Sequence, residues 1–428
     1  DAIVNGQFSP SARPLALDKK RIENALVFPG NEIWWATNRD GLIRTKDGFD
    51  EALTAPASLH DNQVRSLFLD REGSVWIGTV GGLNRLSPPR VAFYGEKEGF
   101  RQGFYGKIML DQTGGILTSD AKGDLLNENL GSLKTVATHP AKDPDQDLLG
   151  VAKDGTIWVR DSSNILFAVK SGRYLNHGFL PKERPISFIE TASGEIWIGT
   201  RAGAFFRKSG SGWEAVTPAF PIANAAVMLI VQDSSKVLYV GTRNGLAVLR
   251  GGVWKTWNKR NGLPSDLISA LHLDPKGRLW IGTAAGIVRM AGDSLFLLNK
   301  SHGLADEAIT ALAMDPQGDL WAGSNSGIFR IRHQSLEQLD QVQPIHLQVQ
   351  LFNAIDGVRH PEGRPFIRAL TTKDGSIWMN MLRGLARFNP ATLPTNSITP
   401  ETIIENVLVD GEVVADRTQI TVPATASR

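Results

Sequence analysis

The chain contains no cysteine, and this absence excludes a disulfide scaffold, cysteine-ligated zinc, iron–sulfur clusters and a cysteine nucleophile. It is compatible with an oxidising compartment, where free thiols are a liability. The 428 residues also lack any apolar run near the roughly 18 residues of a membrane span, and the first 25 residues contain no signal-peptide core. If the protein is exported or tethered to a membrane, we expect those segments to lie outside this sequence.

An excess of charge of one sign is also lacking. Lys and Arg total 46, Asp and Glu total 44, and the net charge is +2. No basic block is dense enough to neutralise a run of phosphates, so we expect no nucleic-acid partner. Motifs such as H-E-x-x-H, G-x-S-x-G and the P-loop are absent, and the 8 histidines form no metal-binding pair. We therefore assign no cofactor, no metal ligand and no catalytic residue to this segment.

Glycine and tryptophan, by contrast, are abundant, at 43 and 11 residues, and they mark a repeat with a period of about 41 residues. The five clearest copies lie at residues 70–86, 192–208, 234–250, 274–290 and 315–331. Nine copies can be aligned on one aromatic or apolar anchor. These anchors are Trp35, Trp76, Leu117, Trp158, Trp197, Tyr239, Trp280, Trp321 and Trp378.

Each copy has the pattern of several short β-strands. An apolar, β-branched run leads into an Asp-x-x-Gly turn, then a strand around Trp-Ile-Gly-Thr, a Gly-containing turn and two further strand-like segments. Four strands in about 41 residues is the size of one propeller blade. The sequence therefore predicts an all-β propeller of about nine four-stranded blades, with the anchor tryptophans packed between blades. A ring of seven or eight blades with irregular flanking strands is the alternative.

These repeats also resemble a known family. The element L-W-I-G-T-x-x-G-[LI]-x-R, preceded by D-x-x-G and in places by a loop such as that at residues 262–268, is similar to the two-component regulator propeller repeat. In that family the repeats build the extracytoplasmic sensor region of membrane-bound histidine kinases, hybrid two-component systems and diguanylate cyclases. The resemblance covers roughly residues 20–390. It implies a non-enzymatic, periplasmic ligand-sensing segment of an inner-membrane signalling protein, and it raises the hypothesis of a homodimer.

The C-terminal segment differs from the repeats. After Ile398, alternating apolar residues, an Asp410-Gly411 turn and a second apolar pair predict a β-hairpin. This segment resembles the first strands of the Ig-like β-sandwich that follows the propeller in the family. We therefore predict a propeller over residues 1–395 and the beginning of a β-sandwich over residues 396–428.

Candidate ligand contacts follow from propeller geometry. The first strand of each blade is innermost, and the loops before it gather on one face with the turns between second and third strands. Aligning the inner strands places Arg65 and Arg368 in a column of mostly small or polar residues, so both are candidates for contacting a ligand. The turns add Arg39, Arg201, Arg243, Asn244 and Arg383. The expected partner is a small molecule or oligosaccharide, with an anionic ligand as one hypothesis.

Three further assignments stay open at this point. Trp257 precedes a loop on the ligand face and could stack on a sugar, although packing at an outer edge is the alternative. Asp143, Asp145 and Asp147 have the alternating carboxylates of a calcium loop, but no glycine follows them as it does in an EF-hand, and a solvated acidic loop is favoured. A secreted polysaccharide hydrolase or lyase is the alternative function, with Glu23, Asp266, Asp306 and Glu307 as candidate acids.

Overall fold

A computed structural model shows an almost entirely β protein. Helix is limited, among the described residues, to His333–Glu337 and the short 3-10 turns Lys259–Asn261, Lys300–His302 and Gln338–Asp340. The structure describes residues 2–4, 7–9, 17, 19–47, 49–56, 58–87, 90–95, 107–120, 123–129, 132–140, 146–180, 183–210, 212–216, 221–222, 225–340, 346–353, 356–358, 368–381, 384–393, 408–409 and 412–413. The chain divides into two compact units.

The larger unit, residues 89–393, is built from seven four-stranded antiparallel sheets, and we call it the ring unit. We number its sheets as ring blades 1 to 7. Their strands are Met109–Leu110, Ile116–Ser119, Leu125–Asn129 and Ser132–Ala137 (blade 1); Asp147–Val151, Ile157–Arg160, Ile165–Lys170 and Arg173–Phe179 (blade 2); Pro185–Glu190, Ile196–Thr200, Phe205–Ser209 and Gly212–Ala215 (blade 3); Val227–Gln232, Leu238–Thr242, Gly245–Arg250 and Val253–Trp257 (blade 4); Ile268–Leu273, Leu279–Thr283, Gly286–Ala291 and Ser294–Leu298 (blade 5); Ile309–Met314, Leu320–Ser324, Gly327–Ile331 and Val349–Phe352 (blade 6); and Ala369–Thr371, Ile377–Met381, Gly384–Phe388 and Ala92–Tyr94 (blade 7).

Blade 7 takes its fourth strand from the other end of the unit. Ala92–Tyr94, which precedes blade 1 in the chain, pairs antiparallel with Gly384–Phe388. Beside this junction, Ile116 of blade 1 and Trp378 of blade 7 share one buried apolar cluster. Since the first strands of successive blades also contact one another, the seven blades form a closed ring whose first strands lie innermost.

The Asp-x-x-Gly turns are fixed by the aspartate side chain. Asp315 Oδ1 accepts hydrogen bonds from Gln317 N at 3.0 Å and Asp319 N at 2.9 Å, and its Oδ2 accepts one from Trp321 Nε1 at 2.9 Å. Gly318 has φ +86°, which an L side chain rarely adopts. The buried Trp321 packs with residues of blade 7, as predicted for an anchor between blades. The same three acceptor contacts recur at Asp70 and Asp274.

The second unit, residues 1–88 and 394–428, holds the first two repeats, and we call it the two-sheet unit. Its repeat sheets contain Ile22–Phe28, Glu32–Thr37, Leu42–Lys46 and Phe49–Leu53, and then Val64–Leu69, Val75–Thr79 and Gly82–Leu86. Two short antiparallel pairs complete it, Ala2–Val4 with Gln7–Ser9 and Leu408–Val409 with Glu412–Val413. Leu42, Val64 and Ile77 belong to the buried apolar cluster between the repeat sheets.

The prediction of nine blades is confirmed among the described residues as nine repeat sheets, eight with four strands and one with three. Seven of these sheets form the closed ring unit. The ring therefore has seven blades, which is the lower number given as an alternative in the sequence analysis. The pairing of Leu408 with Val413 agrees with the predicted hairpin at Asp410-Gly411. The rest of the predicted β-sandwich, and its boundary at residues 395 and 396, lie outside the described residues.

Candidate functional site

The beginning of each inner strand is where neighbouring ring blades meet. In blade 3, Ser187 Oγ donates to Val227 O of blade 4 at 2.6 Å, and in blade 5, Ser269 Oγ donates to Ile309 O of blade 6 at 2.5 Å. Both serines are buried. These serines of the aligned polar column therefore join blades and do not face a ligand.

The glycine of the Trp-Ile-Gly-Thr strand faces the same junctions. A Cβ at Gly199 would lie 2.3 Å from Val227 Cγ1, and a Cβ at Gly282 would lie 2.8 Å from Ile309 Cγ2. The close approach of the next inner strand therefore requires glycine in these blades. Three consecutive blades around the ring depart from this rule, and their buried residues at the glycine position are Asn380 (blade 7), Ser119 (blade 1) and Arg160 (blade 2).

Charged side chains occupy this divergent part of the ring. Asp147, at the beginning of the inner strand of blade 2, pairs with Lys107 Nζ at 3.2 Å and with Arg160 NH2 at 3.1 Å. Lys107 Nζ also donates to Ile186 O at 2.8 Å, and Arg160 Nε donates to Pro185 O at 3.1 Å. Because both carbonyls belong to the first strand of blade 3, the two cations are fixed between blades 1, 2 and 3.

Arg368, predicted from the strand alignment, precedes the inner strand of blade 7, where its carbonyl accepts a hydrogen bond from Asn380 N at 3.2 Å. The charge of Asp147 acts on Arg368, and the charge of Arg368 acts on Lys107. Within the part of the chain that the structure describes, the Arg368 guanidinium makes no hydrogen bond and no ion pair. We call Lys107, Asp147, Arg160 and Arg368 the cationic cluster.

The positive charges of the cationic cluster exceed its negative charge. Burial lowers the pKa of Arg368, and only Asp147 opposes this effect. Burial also lowers the pKa of Lys107, where Asp147 opposes it and Arg368 reinforces it. Although burial alone would raise the pKa of Asp147, Lys107 and Arg160 hold it below its ordinary value. Three cations and one carboxylate leave a net charge of +2 on these four residues, so the cluster can bind an anion.

The side chains of the cationic cluster differ in their exposure to solvent. The side chains of Lys107 and Asp147 remain 22% and 21% exposed. Arg160, in contrast, is 4% exposed and its NH1 donates to Asp161 O at 3.1 Å. A solute can therefore reach Lys107 and Asp147, whereas Arg160 positions Asp147 from behind.

The other predicted contacts in the ring unit lie on exposed turns. Arg201 is exposed between the second and third strands of blade 3, and Arg243 and Asn244 are exposed at the same turn of blade 4. The Asn244 amide donates to Thr242 Oγ1 at 3.0 Å, which fixes this turn. Their contact with a ligand stays a prediction.

Two predicted arginines belong to the two-sheet unit. Arg39 is exposed on a turn, and Arg65 lies on Val64–Leu69 with its NH1 3.8 Å from Glu23 Oε1. This ion pair is weak because Arg65 is half exposed. Arg383 lies outside the described residues. Ligand contact by these three arginines also stays a prediction.

The structure corrects the interpretation of Trp257 as a sugar-stacking residue. Trp257 is 5% exposed and packs with Leu246 and Leu263 in the core shared by blades 4 and 5. Lys255 Nζ lies 4.7 Å from the centroid of its ring. Since stacking on a sugar needs an accessible ring face, Trp257 is a core residue.

The carboxylates considered for hydrolysis stabilise their own loops. Asp266 Oδ1 accepts a hydrogen bond from Lys259 N at 2.7 Å, and Glu307 Oε1 accepts one from Lys300 N at 3.0 Å. Asp306 accepts hydrogen bonds from two backbone amides. These contacts are those of capping residues, and a catalytic role for the three carboxylates stays a hypothesis.

The calcium alternative depends on three aspartates. Asp147 is paired with two cations, and Asp143 and Asp145 lie outside the described residues. No group of three His, Cys, Asp or Glu side chains in the described ranges is arranged to hold a metal ion.

Seven antiparallel blades closed by a shared sheet define the ring unit as a seven-bladed β-propeller. The two component regulator propeller family model matches residues 58–81, 262–285 and 303–326. These matches confirm, at three of the copies, the resemblance stated from the repeats.

Solved structures agree with this fold. The chain is similar to the extracellular domain of the hybrid two component system BT3049 from B. thetaiotaomicron, with a TM-score of 0.67 and 19% identity over 95% of this chain and 56% of that chain. The corresponding domain of BT4673 from the same organism gives a TM-score of 0.54 and 14% identity over 93% of this chain and 56% of that one. A streptogramin B lyase gives 0.55 and 14% identity over 70% of this chain and 97% of its own.

The chain thus spans just over half the length of the two sensor domains it matches, and the likeness at this level of identity concerns the fold. No curated protein sequence matches the chain. In the described part of the chain, no helix has both the length and the apolar character needed to cross a bilayer.

Proposed function

We propose that this chain is the extracytoplasmic ligand-sensing domain of a membrane-bound bacterial signalling protein. The output domain is a histidine kinase, as in hybrid two-component systems, or a diguanylate cyclase. The regulator-propeller matches and the likeness to extracellular domains of hybrid two component systems support this proposal. We place the domain in the periplasm as part of an inner-membrane protein.

The cationic cluster is the observation that carries the proposed ligand binding. Four charged residues from blades 7, 1 and 2 converge where other blades use glycine and serine to join neighbouring sheets. Arg368 has no described partner there, and an enclosed arginine favours a bidentate oxyanion. We propose that the ligand is a small molecule or an oligosaccharide that carries a negative charge.

Signal relay requires that the ligand bind one arrangement of the protein better than another, because equal affinity for two states shifts neither. We propose that binding on the propeller changes the orientation or dimer packing of the β-sandwich that follows it. The sandwich then passes this change to the membrane.

The first test is the coding sequence on both sides of this segment. We expect its translation to complete the β-sandwich and to continue with about 20 apolar residues and then a kinase or cyclase domain. A translated protein without a membrane span would contradict the proposal, and assays of polysaccharide cleavage would then follow.

The second test uses that full-length protein and its ligand response. Arg368→Ala should abolish the response with little change in thermal stability, and Arg65→Ala tests the corresponding residue of the two-sheet unit. Arg207→Ala is the matched control, because Arg207 lies on the exposed surface of blade 3 and pairs with Glu195. Retained response with a large loss of stability would show that Arg368 is structural.

A further inference from the structure

We propose that the cationic cluster binds a divalent oxyanion group through Arg368 and Lys107, and that Asp147 is a resident counter-charge that holds Lys107 and Arg160 in place. This inference rests on the proposed sensing function. It adds the charge of the ligand group and the residues that hold it.

The hydrogen-bond donors of the cluster are unequally used. Arg160 donates hydrogen bonds to Pro185 O, Asp161 O and Asp147 Oδ2. Lys107 has three donors and uses two of them, on Ile186 O and Asp147 Oδ1. The five guanidinium N–H donors of Arg368 have no partner in the described ranges. The oxyanion would therefore accept hydrogen bonds from Arg368 and Lys107, while Arg160 is a positioning residue.

The charge of the cluster decides which anions it favours. With Asp147 ionised, the four residues carry +2, so a monovalent anion leaves one positive charge uncompensated in an enclosed site and a divalent anion neutralises the site. Asp147 also repels any incoming anion. Only an anion that gains more from Arg368 and Lys107 than it loses to this repulsion binds well.

The effect of removing Arg368 on the melting temperature distinguishes a ligand-binding role from a structural one. An arginine in an enclosed site, with no partner among the described residues and with its charge acting on Lys107, disfavours the folded state. Its removal should therefore preserve or raise the melting temperature while it removes anion binding. An arginine that held blades together would show the opposite loss of stability.

The experiment is isothermal titration calorimetry on the 428-residue chain at pH 8 and constant ionic strength. The probes are hydrogen phosphate, sulfate and malonate, compared with acetate and chloride. We expect the divalent anions to bind at least about tenfold more tightly than the monovalent ones. Binding of phosphate and sulfate without malonate indicates a phosphate- or sulfate-bearing ligand, and binding of all three indicates that dicarboxylates also fit.

Two substitutions test the residue roles. Arg368→Met should weaken divalent-anion binding by about tenfold to a hundredfold with an unchanged or higher melting temperature, whereas Arg207→Met should change neither. Asp147→Asn removes a charge that repels a divalent anion twice as strongly as a monovalent one, so it should raise the affinity for sulfate more than the affinity for acetate. If the Asp147 variant does not fold, Arg368→Lys provides the second measurement, because it keeps the charge, loses the planar fork and should bind at an intermediate level.

Equal affinity for divalent and monovalent anions would overturn the inference, as would unchanged binding or a lowered melting temperature in Arg368→Met. These failures differ from failure of the sensing function. An Arg368-dependent response of the full-length protein to a neutral or monovalent ligand would refute the divalent site and leave sensing intact. Divalent-anion binding without any output response would support the site and refute sensing.

Discussion

Replacing Asp315 by alanine should destabilise the ring unit more than any exposed aspartate substitution, because one carboxylate serves three donors there. Asp315 Oδ1 accepts from Gln317 N and Asp319 N, and Oδ2 accepts from Trp321 Nε1. The contacts with Asp319 N and with the indole are buried, so water cannot replace them without entering the core between blades.

Each buried donor left without an acceptor costs about 1–3 kcal/mol. The two buried donors of this turn therefore predict a loss of about 2–6 kcal/mol in the free energy of unfolding. Asp315→Asn should cost less, because an amide oxygen can still accept one of the hydrogen bonds. Urea denaturation followed by tryptophan fluorescence would measure both.

Asp293→Ala is the control, since the ion pairs of Asp293 in the described part of the chain are with the exposed Lys255 and Arg250 of an outer hairpin. Its midpoint should stay close to that of the parent protein. If Asp315→Ala lost no more stability than this control, the view that the aspartate turn anchors the tryptophan between blades would be wrong.

Three further outcomes are expected. Burial lowers the pKa of His272 to about 4, although the charge of Asp274 opposes this shift. Between pH 6.5 and 4 the unfolded chain therefore binds more protons than the folded one, and the free energy of unfolding should fall by roughly 3 kcal/mol as the pH drops through that range. His272→Gln should remove this decrease, as measured by urea titrations at pH 7 and pH 4. Gly199→Ala would place a Cβ 2.3 Å from Val227 Cγ1 and should cost about 1–3 kcal/mol in thermal melts, with partial recovery in the double variant with Val227→Ala. Ala152→Asp should supply an acceptor to the buried, unpaired Trp158 Nε1 and raise stability by about 1 kcal/mol; a lower melting temperature would show that the carboxylate cannot reach the indole.

The blades could be predicted from sequence because each one is locally determined. Within a repeat, the Asp-x-x-Gly turn and the following glycine turn connect strands that are neighbours in the chain, so the pattern of one copy specifies one sheet. Ring size is a different kind of property. It depends on Ala92–Tyr94 pairing with Gly384–Phe388, a contact between segments far apart in sequence, and Ala92–Tyr94 shows no repeat motif.

The site was only partly predictable for a related reason. Arg368 could be found because strand alignment shows a large charge in a column of small residues. Arg160 is also visible in the sequence, since it stands where the consensus repeat has glycine. Lys107 lies one residue after the aligned position of its inner strand, so the strand alignment does not identify it. Trp257 was misjudged because the pattern of an outer strand does not reveal that Leu263 covers it.

The position of the cationic cluster follows from the symmetry of the fold. A ring of equivalent blades would present equivalent junctions all around its axis, and the glycine and serine contacts of blades 3 and 5 show how fully such junctions are used for packing. A ligand without that symmetry needs different residues from different blades, so consecutive blades that depart from the consensus are a place to look for it. Blades 7, 1 and 2 make this departure together. Their junctions carry the ion pairs of Asp147 and also Arg368, which has no partner among the described residues, where blades 3 and 5 have glycine packed closely against the next inner strand. The same substitutions that weaken the repeat pattern in the sequence therefore create the charged site, so the least regular copies of the repeat are where ligand recognition should be sought.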